Sequence, residues 1–109
     1  MPRPRLTDDG RAVTLDLHGA RVDEALGLVG ALVEEAARRG RTTARVVHGA
    51  STTGAGRRTI KSALSDALDA GDYAPFVTSA FRQEGAVLLG LAPHPAPLGG
   101  RLVLSDLGE

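Results

Sequence analysis

The sequence predicts an α/β fold with the element order βαβαββ. Three observations carry that expectation. Two strand-like runs, Val13-Thr14-Leu15-Asp16-Leu17-His18-Gly19 and Ala44-Arg45-Val46-Val47-His48-Gly49, both close on His-Gly, 30 residues apart. One helical pattern, from about Val22 to Arg39, lies between them, so the stretch reads as strand, helix, parallel strand. Farther on, Phe76 to Phe81 and Ala86 to Leu91 flank the turn residues Gln83-Glu84-Gly85 as a hairpin. Both histidines then fall at carboxyl strand ends, the edge where open α/β sheets bind ligands.

Taken in order, residues 1–12 read as a flexible N-terminal arm, with Asp8-Asp9-Gly10 as a turn signal. In the first strand Val13, Leu15 and Leu17 alternate with Thr14, Asp16 and His18. A period of two puts Asp16 and His18 on one free face and the aliphatics on a packed one. The next helix carries Val22, Leu26, Val29, Val33 and Ala36 at three- and four-residue spacing, opens with Asp23-Glu24 and closes with Arg38-Arg39-Gly40. Gly27 and Gly30 inside it cost roughly 1 kcal/mol each against Ala, and close packing is the expected reason for them. A second helix has the stripe Ile60, Leu64, Ala67 and Leu68 and ends at Gly71-Asp72. Residues 92–109 read as a Pro/Gly-rich connector and a short C-terminal strand from Arg101 to Leu104, or a segment that docks there.

At 109 residues with 42% hydrophobic content, one globular domain is expected, centred on residues 13–91. The chain has no Cys, which excludes disulfides and thiolate zinc sites and suits a reducing compartment. Met1 to Leu6 carries two Arg and two Pro with no apolar run behind them, and no stretch approaches membrane-spanning length. A soluble, cytoplasmic protein without a membrane partner is expected. Formal net charge is zero, yet residues 1–61 hold eleven Arg or Lys against seven Asp or Glu, a balance of +4, and residues 62–109 hold two against six, a balance of −4. The positive half is the half with both strand-end histidines. Twelve of the thirteen basic residues are Arg, whose planar fork suits bidentate phosphate contacts.

Between the second strand and the second helix lies Gly49-Ala50-Ser51-Thr52-Thr53-Gly54-Ala55-Gly56-Arg57-Arg58. Such a loop can cradle phosphate through backbone N–H groups at a helix N-terminus, or be an unliganded connector. It is no Walker loop, since Gly56 is followed by Arg57-Arg58 rather than Lys-Ser or Lys-Thr. Cations at a helix start oppose the helix dipole, so Arg57, Arg58 and Lys61 favour a bound anion. Asp16, His18 and His48 beside that loop supply the parts for acid–base work on a phosphodiester, although an Asp-x-His pair is more often structural. His94, between prolines, has no such context. Three aromatic residues in all, Tyr73, Phe76 and Phe81, argue against stacking-based readout of a single strand.

Leu15-Asp16-Leu17-His18-Gly19, Asp23-Glu24-Ala25, Val46-Val47-His48-Gly49, Gly54-Ala55-Gly56, Ile60-Lys61 and Glu84-Gly85-Ala86, in this order, resemble the small MutS-related (Smr) domain over about Val13 to Leu91. The resemblance implies a two-layer α/β sandwich, like the C-terminal domain of bacterial translation initiation factor three, with two helices against a mixed four-stranded sheet. It implies nucleic-acid binding and endonucleolytic nicking of DNA or cleavage of RNA, in repair, recombination or RNA quality control. By position it gives the catalytic role to Asp16 and His18, and a part in substrate contact to His48, Gly49 and the loop Thr53-Gly54-Ala55-Gly56. Where the family commonly reads His-Gly-Lys-Gly, this chain has His48-Gly49-Ala50-Ser51, losing a cation and a glycine.

The expectation is therefore a monomeric endonuclease acting on DNA or RNA. Asp16, His18 and His48 do the chemistry, while Gly49, Thr53, Gly54, Gly56, Arg57, Arg58 and Lys61 hold the substrate. A divalent ion, Mg or Mn, at Asp16 is the alternative to pure acid–base chemistry, and no organic cofactor is implied. Two other classes remain open: a non-catalytic nucleic-acid adaptor, and an interaction domain whose oppositely charged halves associate head to tail.

Overall fold

The computed structural model describes residues 4–48, 59–93 and 100–107. Five strands form one sheet: β1 (Arg5–Asp8), β2 (Ala12–Asp16), β3 (Thr43–Val47), β4 (Val77–Gln83) and β5 (Ala86–Leu91). Helix α1 (Val22–Arg38) joins β2 to β3, and α2 (Ile60–Ala70) precedes β4. The spatial order is β1-β2-β3-β5-β4, with β2 and β3 parallel and every other pairing antiparallel.

The sheet has five strands, not four, because part of the expected N-terminal arm is ordered as β1. Leu6 opposes Leu15 and Asp8 opposes Val13, so Asp9 to Arg11 is a hairpin connection rather than the approach to a first strand. At the other end of the chain, the expected C-terminal strand is absent from residues 100–107. Leu102 is 1% exposed and docks into the core, and Leu104–Leu107 is a single 3-10 turn. The Leu102 amide donates to Asp8 Oδ2 at 2.8 Å, which replaces a ladder bond with a side-chain one. The fourth strand begins and ends later than the hydropathy pattern placed it, at Val77 and Gln83.

Period-two alternation decides which face packs. Val13, Leu15 and Leu17 of the β2 segment, Ala44 and Val46 of β3, and Val87, Leu89 and Leu91 of β5 are buried and join one core cluster with both helices. Residues of the opposite parity, among them Thr14, Arg45 and Leu88, form a face that neither helix covers. Helix α1 buries a broader stripe than the spacing predicts: Ala25, Leu28, Leu32 and Ala37 are inside along with Val29, Val33 and Ala36, while Val22 and Leu26 are half-buried. It packs on the sheet and also against α2 and the 3-10 turn, which widens its apolar face.

Neither glycine of α1 is required by packing. A Cβ at Gly27 would meet open space, and one at Gly30 would lie 3.7 Å from the Tyr73 ring, an ordinary contact. Helix α2 is capped by Thr59, whose hydroxyl accepts from the Ser62 amide at 3.1 Å, and it ends where Gly71 takes φ +78. Buried Tyr73 donates to the Leu26 carbonyl at 3.3 Å; burial, and then the Asp72 charge, push its hydroxyl up to about 12.

Candidate functional site

The parallel strands β2 and β3 end side by side, with the Leu17 amide donating to the Val47 carbonyl at 2.8 Å. Beyond Leu17 the chain reverses, closed by Ala20 N–H to the Leu17 carbonyl at 3.0 Å and permitted by Gly19 at φ +85. This turn brings His18 back over Asp16. Asp16 Oδ1 accepts the His18 amide at 3.0 Å and lies 2.5 Å from His18 Nδ1. Burial raises the Asp16 pKa, but the amide and ring of His18, and the charge of Arg5 opposite it on β1, outweigh that, so Asp16 stays an anion at neutral pH.

The pair is open to solvent, with 63% of the His18 side chain and 36% of the Asp16 side chain exposed. An anionic carboxylate only accepts hydrogen bonds, so Nδ1 carries the proton and Nε2 of the neutral ring keeps its lone pair. The result is a histidine held in one tautomer, with its basic nitrogen available at the sheet edge.

His48 takes the other side of the sheet. It has the parity of Ala44 and Val46, both buried, and lines an open cleft with Lys61, Leu64 and Ser65 of α2 and Arg82 and Val87 of the β4–β5 hairpin. Its amide donates to the Gly85 carbonyl at 2.9 Å, which fixes the hairpin tip beside it. The structure thus joins Asp16 to His18, and separately joins His48 to Lys61. Arg82 lies within hydrogen-bond distance of Asp69, 2.8 Å away. Gly49, Thr53, Gly54, Gly56, Arg57 and Arg58 lie outside the described residues, as does His94. Helix α2 starts at Ile60, so among the described residues Lys61 is the cation in its first turn.

Sequence reading missed Arg5, Ser65 and Arg82. Arg82 depended on the β4–β5 register, which sets it opposite the buried Val87, because β4 itself carries no alternation to read. Arg5 depended on recognising β1. Among the described residues no cluster of three His, Asp or Glu could hold a metal ion. Asp16 and His18 alone would offer an ion an incomplete set, to be completed by water and substrate phosphate, as Mg²⁺ commonly is.

The Smr domain family model matches residues 15–87, well over half of the chain. The chain belongs to the Smr family. A solved structure, the Smr domain of Thermus thermophilus MutS2, aligns at 30% identity and a TM-score of 0.57, covering 76% of this chain and 99% of that one. A comparison with curated proteins gives no match. The Smr family is associated with nucleic-acid binding and nicking. The matched span opens at Leu15, one residue before the Asp16–His18 pair, and closes at Val87 in the cleft of His48. No helix among the described residues is long and apolar enough to cross a membrane.

Proposed function

We propose that this Smr domain is a nucleic-acid-binding endonuclease, nicking DNA or cleaving RNA, with Asp16 and His18 as its acid–base pair. The observation that carries the reading is the Asp16 Oδ1 to His18 Nδ1 contact, which leaves Nε2 its lone pair on an exposed ring at the carboxyl end of the parallel strands, where open α/β sheets commonly bind ligands. Nε2 takes the proton from the attacking oxygen, of water or of a ribose 2′-hydroxyl, as that oxygen closes on phosphorus. The P–O bond to the leaving oxygen then breaks, and that oxygen receives a proton from the imidazolium or from water. Asp16 keeps the ring oriented and stabilises its charged form. A divalent ion bound through Asp16 and the substrate phosphate would add charge neutralisation at the phosphate.

His48 and Lys61 act in this reading as substrate contacts on the helix side of the same edge, with Gly49, Thr53, Gly54, Gly56, Arg57 and Arg58 completing the grip on the backbone. A non-catalytic adaptor is the second reading, and the replacement of the usual His-Gly-Lys-Gly by His48-Gly49-Ala50-Ser51 favours it. Incubation with supercoiled plasmid and with a structured RNA, with and without chelator, separates the two. Nicking or cleavage that disappears in His18→Ala supports the nuclease. Binding to either nucleic acid with no cleavage under any condition supports the adaptor.

A further inference from the structure

The uncovered face of the sheet carries a row of side chains that leads to the Asp16–His18 pair. Strand register aligns Phe81 on β4, Leu88 on β5, Arg45 on β3 and Thr14 on β2, with Asp16 two residues beyond Thr14. Phe81 is 64% exposed, although an aromatic ring gains more from burial than almost any other side chain. Leu88 beside it is half-buried and Arg45 is exposed. Arg5, exposed on β1, faces Asp16 across the far edge. Asp16 is the one carboxylate that register assigns to this face among the described strand residues, against two arginines.

We infer that this face binds a single-stranded nucleic acid, with a base stacked on Phe81 and phosphates on Arg45 and Arg5. The inference rests on the proposed nucleic-acid function and names its substrate class. Strands lie about 4.8 Å apart and residues rise about 3.3 Å, so roughly 16 Å separates Phe81 from Asp16 across the sheet. A few extended nucleotides span that distance. A base anchored on Phe81 would therefore deliver a phosphodiester farther along the same strand to His18. A flat sheet presenting an aromatic ring and flanking cations is a general solution for single strands, because every base has a π-face while a duplex hides its bases. The scarcity of aromatics matters less than where this one stands. A protein partner fits the row less well, since Arg45 at its centre would need a carboxylate partner to be covered without cost.

The chain contains no Trp, so Phe81→Trp introduces a single tryptophan at the proposed stacking position, excitable at wavelengths where Tyr73 does not absorb. Titration of that variant with an unstructured oligonucleotide of about a dozen residues, within the usual single-strand site sizes, and with a duplex of the same sequence, reads the contact directly. The expected result is quenching by the single strand and not by the duplex. Fluorescence anisotropy with labelled oligonucleotide should show Phe81→Ala weakening single-strand binding roughly 5- to 150-fold. Arg45→Ala should flatten the log–log salt dependence by about 0.7. Tight single-strand binding by native protein that Phe81→Ala and Arg45→Ala both leave unchanged overturns the sheet-face site and leaves the nuclease reading standing. Binding of duplex alone does the same. Failure of native protein to bind any nucleic acid overturns both.

Discussion

Asp8 and Asp16 stand at opposite ends of the β1–β2 hairpin and begin alike: in each, Oδ1 accepts the amide two residues ahead, Gly10 at 2.9 Å and His18 at 3.0 Å. They end differently because parity points them to opposite faces. Asp8 turns inward, 1% exposed, and meets the Arg41 guanidinium in a bidentate pair at 2.7 and 2.8 Å. The Leu102 amide fills a fourth position, and Arg41 gives two of its three remaining N–H groups to the carbonyls of Gly100 at 2.7 Å and Arg39 at 3.0 Å. With four donors around it, that carboxylate is saturated and has nothing left to offer a substrate. Asp16 turns outward, and its partner is a titratable ring that is itself half free. One carboxylate fastens the two ends of the chain to the C-terminus of α1; the other orients a base. The chemical difference lies in the partner and its exposure, not in the aspartate.

Removing the partner of each aspartate should have opposite consequences. The largest expected effect is on rate: His18→Ala should lower cleavage by about 10²- to 10⁴-fold while changing stability by no more than about 0.5 kcal/mol. Arg41→Ala should do the reverse. Leaving Asp8 buried without its cation should lower unfolding free energy by about 3–5 kcal/mol, read by denaturant titration, with cleavage per folded molecule unchanged.

A pH titration sharpens the contrast. The Arg41 hydrogen bonds, working against burial and aided by the Leu102 and Gly10 amides, hold Asp8 at about 2 against 3.8 for an unperturbed carboxyl. Its folded-state pKa is depressed, so its stabilisation is fully present above about pH 4 and is lost as pH falls toward 2. Stability measured across that window should drop by about 2 kcal/mol more in native protein than in Asp8→Asn. The smallest expected effect touches neither aspartate. Gly27→Ala, on an exposed helical position with open space beside it, should raise stability by up to about 1 kcal/mol and leave cleavage unaltered.

Why one aspartate was legible in the sequence and the other was not follows from how local each is. Asp16 and His18 are two residues apart, and alternation with Val13, Leu15 and Leu17 puts Asp16 on the free side without any tertiary information, while His18, in the turn just past β2, reaches it locally. Asp8 meets Arg41 33 residues away and Leu102 94 residues away, distances over which no periodicity carries a signal. The strand holding Asp8 is four residues long with a single large apolar side chain, Leu6, too little for a pattern. A local cue was present nonetheless: Asp9-Gly10 between Leu6 and Val13 is a hairpin signal, which would have given five strands. His48 teaches the same lesson in parity. Both strand-like runs of the sequence close on His-Gly, but His18 follows β2 in a turn over Asp16 while His48 falls in step with the buried Ala44 and Val46, so the two histidines end on different faces.

In the proposed mechanism Asp16 acts through His18, the two forming one unit at the sheet edge. A double-mutant cycle on cleavage rate tests it most directly, comparing native protein with Asp16→Asn, His18→Ala and the double variant at matched folded fraction. If Asp16 works only by orienting the ring, the double variant should cleave no more slowly than His18→Ala alone. Independent, multiplicative losses, or a His18→Ala variant that cleaves at the native rate, would contradict the account.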